Sequence, residues 1–304
     1  MGNAKEGFER WHQAVETGDL NRAVEEGKPA ADIAAAALGG AGLAKGGISL
    51  SRKMAEEAAE RARAETYRNN LQDIGEWGRD KDLAPESFVY QNLPDSLTRE
   101  NLQFEEFKNL TRTHMDDMTE EQVGQMKRIR DDVPPITRDT VVTKVMPYEY
   151  LEGYLKADNP YNTIGGFVTR KDDYGHLMGQ GLQDTYKHLA LDYPDSAYTK
   201  ALENGQDRYL VFEGKLTAPS QSEIPYGKKF GGTRTDPCTL NGFISCRSDE
   251  ILPEFFIKET DKVKQYPEHG SVIWAVEDGV RRKAAVFDDE KMKFVPADEH
   301  DRRN

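Results

Sequence analysis

The sequence predicts an α+β fold, in which a helical N-terminal region precedes a mixed α/β domain with a largely antiparallel sheet. Two observations support this prediction. Helix-forming residues with charges of both signs dominate the chain as far as Pro134 and Pro135, whereas β-branched runs and eleven of the thirteen tyrosines lie at or beyond Tyr148. We therefore assign a helical region to residues 1–133 and a compact domain to residues 136–304, which is long enough to bury its own core.

Charge and composition exclude several classes of protein. The 304 residues include 41 Lys and Arg against 54 Asp and Glu, which gives a net charge of −13 that is spread over both halves. Such a chain is a poor candidate for binding nucleic acid through its overall field. Only two cysteines are present, so a disulfide scaffold is excluded. The first residues, MGNAKEGFERWHQ, lack the apolar core of a signal peptide, and we expect no classical export.

The first half contains an Ala/Gly-rich segment followed by helical patterns. Between residues 30 and 50 glycines interrupt an alanine-rich run, and two interpretations remain open. The favoured one is a flexible joint between two helices, and the other is a small-residue helical hairpin that associates with a bilayer. Residues 52–77, 97–118 and 119–133 have helical spacing. Thr119 begins the last of these with acidic residues in its first turn, and Pro134 ends it.

The second half contains short β-branched runs bounded by Gly, Pro and Asp. They predict strands at 140–146, 164–170, 207–214, 241–246, 271–279 and 283–295, with helices at 148–156 and 182–189.

Cysteines and histidines give no metal signature. Cys238 and Cys246 lie eight residues apart, and two free thiols are favoured over a disulfide. The six histidines are scattered along the chain, so no metal site is predicted.

A basic stretch stands out against the acidic chain. From Tyr226 to Ser248 four basic residues meet one acidic residue, and Lys228 and Lys229 precede a Gly-Gly turn at 231–232. Exposed N–H groups beside cations suit a phosphate or pyrophosphate. The alternative is a tight surface turn with incidental lysines.

The stretch from about Met126 to Phe294 resembles the C-terminal toxin domains of bacterial polymorphic toxins. The matching segments are IRDDVPP, TKVMPYEYLEGYL, IGGFVTRKDDYGHL, LDYPDSAY, PYGKKFGGTRTDPCTLNGF and ILPEF, and together they span over half the chain. The resemblance implies an effector made in a bacterial cytoplasm, exported by a specialised secretion system and active in the cytoplasm of a rival cell. It also implies a cognate immunity protein, a protein or nucleic-acid target, and a delivery role for residues 1–133.

Within this stretch, NGFISCRS resembles the GF-x-S-x-S strand of ADP-ribosyltransferases. The resemblance implies that Ser245 supports the site, that Arg170 in GGFVTR matches an arginine on an earlier strand, and that a downstream glutamate contacts the nicotinamide ribose. Cys246 stands where a second hydroxyl is common, and no E-x-E or Q-x-E motif follows. The candidates for the acidic role are Glu254, Glu277 and Glu290.

A site that uses NAD needs cations or N–H groups for the pyrophosphate, an aromatic wall for nicotinamide, and a carboxylate that stabilises the developing oxocarbenium ion. Arg170 and the loop at 228–233 would supply the first, and Glu254 or Glu290 the third. The predicted cofactor-contacting residues are Tyr226, Phe230, Gly231, Gly232, Thr233 and Phe243. We therefore predict an ADP-ribosyltransferase or NAD glycohydrolase toxin, with NAD as substrate and no metal.

Two alternatives belong to other classes. A metal-independent nuclease would use His176 or His188 as general base, with Arg170 and Lys171 stabilising a phosphorane. The acidic net charge disfavours that function. The other alternative is a non-enzymatic membrane or binding module that inserts its Gly-rich segment in a bilayer.

Overall fold

A computed structural model describes residues 41–158, 160–219, 222–235, 238–260 and 263–301. The chain divides into two compact units, residues 1–71 and residues 72–304. The boundary predicted near Pro134 and Pro135 lies inside the second unit, because the helices that precede these prolines share one apolar core with the sheet. Among the described residues, no helix combines the length and the apolar character that crossing a bilayer requires.

Helix α1 spans Ala41–Asp80 and contains the helix predicted at 52–77. Gly42 and Gly46, from the Ala/Gly-rich segment, lie within it, so the joint predicted there is wrong for residues 41–50. The strong helix formers that follow Ser51 offset the cost of these glycines, since a helix propagates more easily than it begins. The rest of that segment, residues 30–40, lies outside the described residues.

Short helices follow α1 and build one side of the core. They are α2 (Phe88–Gln91), α3 (Leu93–Arg99), α4 (Phe104–Arg112) and α5 (Glu120–Asp131). The helix predicted at 97–118 is divided, because Asn101 adopts a positive φ of 53° and a capping box at Gln103 begins α4. The predicted start at Thr119 is confirmed, since its hydroxyl accepts from the N–H of Gln122.

The remaining elements are strands and short helices. The strands are β1 (Val142–Met146), β2 (Gly166–Arg170), β3 (Arg208–Gly214), β4 (Ser222–Glu223), β5 (Phe255–Ile257), β6 (Val272–Glu277), β7 (Val280–Asp288) and β8 (Lys293–Pro296). The helices are α6 (Tyr150–Leu155), α7 (Lys171–Tyr174), α8 (Leu182–His188), α9 (Ala197–Glu203) and α10 (Ala297–Asp301).

These eight strands of the described residues form a sheet in the order β4-β5-β2-β1-β3-β6-β7-β8. Every neighbouring pair is antiparallel, which confirms the predicted α+β class with a largely antiparallel sheet. In the central strand β3, four consecutive residues, 209–212, are fully buried. The apolar run of this strand therefore reflects burial on both of its faces.

Residues 241–246 do not form the predicted strand. Leu240 and Gly242 adopt positive φ values, which bend the chain out of an extended path. The side-chain amide of Asn241 donates to backbone carbonyls at the end of α4, among them those of Leu110 and Thr111. The segment is therefore a buried loop that connects α4 to the sheet, and its Asn241 and Phe243 form only isolated bridges, to Tyr226 and Pro253. The strand predicted at 283–295 is also divided, by a turn at 289–292 between β7 and β8.

A disulfide joins Cys238 to Cys246, with 5.6 Å between their Cα atoms. The prediction of two free thiols is therefore wrong. The positive φ values within the loop turn the chain back on itself and bring the two residues together. Both cysteines remain partly exposed to solvent.

A buried ionic network links the end of α1 to the same region. The carboxylate of Glu250 accepts from Lys81 Nζ at 2.6 Å and contacts His176 Nε2 at 2.9 Å, and Glu250 and His176 are each only 2% exposed. Burial alone would raise the pKa of Glu250, but the hydrogen bonds from His176 and Lys81 outweigh it and hold that pKa below its usual value.

We expect Glu250→Gln to lower the free energy of unfolding by about 3 kcal/mol near pH 7, because the change removes the buried carboxylate that pairs with Lys81 and contacts His176. Since folding lowers the pKa of Glu250, this stabilisation is present above the unfolded pKa of 4.5 and is lost as the pH falls through the folded value. Urea unfolding should show that the difference in the free energy of unfolding between wild type and variant becomes smaller at acidic pH. The exposed Glu290→Gln is the control, and a gap independent of pH would contradict the assignment.

We expect the Cys238→Ser/Cys246→Ser double variant to lose about 2 to 3 kcal/mol of stability, because the disulfide closes a short loop in the unfolded chain. Urea unfolding with and without a thiol reductant measures this loss. Reductant should destabilise the wild type and leave the double variant unchanged. Two titratable thiols in the native, air-oxidised protein would show that the bond does not form.

Candidate functional site

A cavity of about 500 Å³ opens on one face of β1 and β2. Thr143 and Val145 on β1, and Phe167 and Thr169 on β2, line it and share this face because side chains alternate along a strand. The opposite wall is mainly apolar and aromatic, and it is formed by Tyr174, Leu189, Ala190, Leu191, Tyr193, Pro194 and Ile244. The cavity can therefore enclose a flat, weakly polar group.

Glu254 is the acidic residue of this cavity lining. It immediately precedes β5, and among the described residues its carboxyl group has neither a hydrogen-bond partner nor an ion-pair partner. Burial raises the pKa of Glu254 to about 8, although the charges of Arg130, Arg234 and Lys144 act in the opposite direction. The group is therefore mainly protonated at neutral pH, and a cationic ligand in the cavity would favour its ionised form.

Arg130 fixes the backbone around Glu254. Its side chain is 1% exposed; Nε donates to the carbonyl of Gly242 at 3.0 Å, and Nη2 donates to the carbonyl of Glu254 at 2.6 Å. The guanidinium also lies 4.4 Å from the ring centroid of Phe255. Burial lowers the pKa of Arg130 to about 10, so it remains charged. Arg130 is thus a positioning residue for Glu254.

Lys144 is a second ionisable residue of the cavity lining. Its Nζ donates to the carbonyl of Gly165. Burial lowers the pKa of Lys144 to about 8, while the charges of Glu259 and Glu254 act in the other direction. Because side chains alternate along β1, the side chain of Lys144 lies on the face of the sheet opposite to Thr143 and Val145, so Lys144 borders the cavity without projecting its amine into it.

Arg170 and Ser245 border the cavity through their neighbours. Arg170 follows the lining residue Thr169 at the end of β2, and its guanidinium pairs with Asp172 at 3.2 Å and Asp173 at 3.6 Å. Burial raises the pKa of Asp173 to about 6, against the opposing charge of Arg170. Ser245 is buried, and its hydroxyl has no hydrogen-bond partner among the described residues. Of the four predicted catalytic residues, only Glu254 lines the cavity itself.

The other acidic candidates lie outside the cavity lining. Glu290 is exposed in the turn between β7 and β8. Glu277, at the end of β6, pairs with Arg282 at 2.8 Å and accepts from the hydroxyl of Tyr148 at 2.6 Å. The structure therefore separates both residues from Glu254.

The Gly-Gly loop is packed against protein. Tyr226 and Phe230 are buried and stack with their ring centroids 5.2 Å apart. Gly231 has a φ of 85° and ends a short 3-10 turn, whereas a Cβ at Gly232 would overlap the carbonyl of Tyr226. These glycines are thus needed for the turn itself. Thr233 is exposed beside them.

Three of the four cations of this stretch, Lys229, Arg234 and Arg247, contact protein groups as well. Lys229 donates to the carbonyl of Met118 at 2.8 Å, and Arg234 pairs with Glu223 at 2.8 Å. Phe243 is buried, with its ring centroid 5.6 Å from that of Phe107. None of the six predicted cofactor-contacting residues lines the cavity.

The histidines of the nuclease alternative lie near Glu250. His176 belongs to the buried ionic network, and burial lowers the pKa of His188. Among the described residues, no group of three or more His, Cys, Asp or Glu side chains is arranged to hold a metal ion.

No known family's profile, curated protein or solved structure matches this chain. The chemistry of the cavity residues is therefore the basis on which a function is proposed.

We expect Glu254→Gln to stabilise the protein in a way that depends on pH. The folded carboxyl stays protonated to about pH 8, whereas the unfolded one ionises near 4.5, so wild-type stability falls as the pH rises between these values. The amide cannot ionise. The gain in the free energy of unfolding should be absent below about pH 4 and reach the order of 2 kcal/mol at about pH 8. Full burial would give a larger gain, but the cavity admits solvent.

Urea unfolding over this pH range measures the effect of Glu254→Gln. Glu290→Gln, on an exposed turn, should show no such gain. A stability difference of equal size at all pH values would contradict a raised pKa for Glu254.

Proposed function

We propose that this protein is an effector toxin that uses NAD and breaks the bond between nicotinamide and ribose, as an ADP-ribosyltransferase or an NAD glycohydrolase. The observation that carries the proposal is the carboxyl group of Glu254, which stands without an ionic partner in an aromatic and apolar cavity. Such a group is suited to a cationic ligand, and the nicotinamide ring of NAD is a flat cation.

The cavity lining supplies two of the three components that this chemistry requires, the aromatic wall and the carboxylate. The rings of Phe167, Tyr174 and Tyr193 line it and offer aromatic surface to a pyridinium ring. The positive charge of that ring would draw Glu254 into its ionised form. The carboxylate would then stabilise the oxocarbenium ion as the C–N bond breaks and its electron pair neutralises the departing nicotinamide.

The second half of the reaction decides between transfer and hydrolysis. Water or an acceptor nucleophile would attack C1′ of the ribose and release a proton. Glu254, once ionised, is the carboxylate of the cavity lining and would accept that proton. Arg170, at the end of β2, lies one residue beyond the lining, and its guanidinium already pairs with Asp172 and Asp173, so its charge is not free for the phosphates.

The disulfide supports a route out of the producing cell. Disulfides form and persist mainly in oxidising compartments, and they are rare in a reducing cytoplasm. We infer that a specialised secretion system exports the protein, with the N-terminal region contacting the delivery machinery, and that it acts in the cytoplasm of a target cell. A cognate immunity protein would protect the producer.

We expect the full chain to release nicotinamide from NAD, and Glu254→Gln to reduce that rate by at least about 100-fold, because the oxocarbenium ion loses its counter-charge. Chromatographic detection of nicotinamide measures the rate. Glu290→Gln is the matched control and should retain wild-type activity. NAD labelled on its adenylate moiety, with target-cell lysate added, separates transfer to a macromolecule from hydrolysis. Neither free nicotinamide nor labelled acceptor in either assay would overturn the proposal.

A further inference from the structure

Three exposed tyrosines lie together near the cavity. Tyr150, Tyr161 and Tyr193, here termed the tyrosine surface, are 46%, 55% and 43% exposed. Within the described part of the unit 72–304, they account for three of the five exposed large hydrophobic side chains. Exposed aromatic side chains that cluster in this way are typical of binding surfaces.

The rings of the tyrosine surface are held in place. Tyr161 packs edge-to-face on Tyr150 at 6.2 Å and on the buried Tyr154 at 5.6 Å. Gly153 permits this packing, since a Cβ there would overlap the ring of Tyr161. Rings that are already fixed lose little conformational entropy when a ligand binds.

Tyr193 connects the tyrosine surface to the cavity, because it also lines the cavity wall. Burial raises the pKa of Tyr193, and the neighbouring Tyr150 and Glu149 raise it further. Residues on α6 and in the segment before α9 therefore lie side by side at the edge of the cavity.

Four carboxylates lie within two residues of Tyr150 or Tyr193 in the sequence. Glu149, Glu152 and Asp195 are exposed, and among the described residues none of them has an ion-pair partner. Asp192, by contrast, pairs with Arg247 at 2.9 Å. The surface therefore combines aromatic faces with unpaired negative charge, which favours a cationic ligand and disfavours a polyanion.

The neighbouring Tyr148 already binds arginine in this way. The guanidinium of Arg208 lies 4.7 Å from its ring centroid. Arg282 donates to its hydroxyl at 3.0 Å and to the carboxylate of Glu277 at 2.8 Å. Within the chain itself, the basic side chain of Arg282 thus contacts both a tyrosine and a glutamate.

We propose that the tyrosine surface binds a basic segment of a partner protein. Arginine and lysine side chains of that segment stack on Tyr150, Tyr161 and Tyr193 and pair with the neighbouring carboxylates. This inference does not rest on the proposed function, because it depends only on the surface. Since Tyr193 is shared with the cavity, the bound segment lies at the cavity's edge.

The test measures binding of a synthetic peptide of alternating arginine and glycine to the full chain by titration calorimetry. The triple variant Tyr150→Leu/Tyr161→Leu/Tyr193→Leu keeps the net charge and removes the aromatic faces. We expect its Kd to rise by at least about 10-fold, since several cation–π contacts are lost. Glu149→Gln/Glu152→Gln should weaken binding by a smaller factor that shrinks in high salt.

Two control variants lie on other elements. Tyr266→Leu and Glu290→Gln should leave the peptide Kd unchanged, and thermal unfolding of every variant confirms that it is folded. No peptide binding, or equal binding by the wild type and the triple variant, would overturn the proposal, because the net acidic field would then account for any affinity. Weaker NAD binding in the triple variant with unchanged peptide binding would assign the surface to a nucleotide and also overturn it.

Discussion

The buried guanidinium of Arg130 is the interaction on which the site depends. From α5 it donates to the carbonyls of Gly242 and Glu254, and so joins a helix, the disulfide-closed loop and the start of β5. The backbone N–H of Glu254 donates to the same carbonyl of Gly242. Hydrogen bonds thus fix the positions of the disulfide-closed loop and the start of β5. These bonds lie in a low-dielectric interior, where they are strong and costly to break.

This arrangement separates the polar groups that support the structure from a carboxyl group that is available for chemistry. Nε and Nη2 of Arg130 and the carboxylate of Glu250 have partners within the protein, whereas the carboxyl of Glu254 has none among the described residues. A lone carboxyl in an apolar cavity costs folding free energy, which is the usual signature of a residue retained for function. The tyrosine surface lies at the edge of the same cavity, because Tyr193 belongs to both.

Local sequence patterns predicted what local forces determine. The capping box at Thr119 and the β-branched run of β3 appear as expected, and Glu254 is the predicted catalytic residue that lines the cavity. Contacts between residues that are far apart in the sequence could not be predicted from local patterns. The segment 241–246 reads as a strand but is bent by positive φ values at Leu240 and Gly242. Arg130 follows Val123 and Met126 on the apolar stripe of α5, and that spacing was the available signal for its burial.

The strand order has a consequence for the time course of folding. β1 lies between β2 and β3, and β2 pairs with β5, which is far away along the chain. Three of the seven ladders, β1–β3, β2–β5 and β3–β6, connect strands that are not neighbours in sequence, and their loop-closure entropy must be lost before pairing compensates for it. Sheets with such distant partners form slowly. Each newly made chain therefore remains without its core for longer than a helical protein of the same length would.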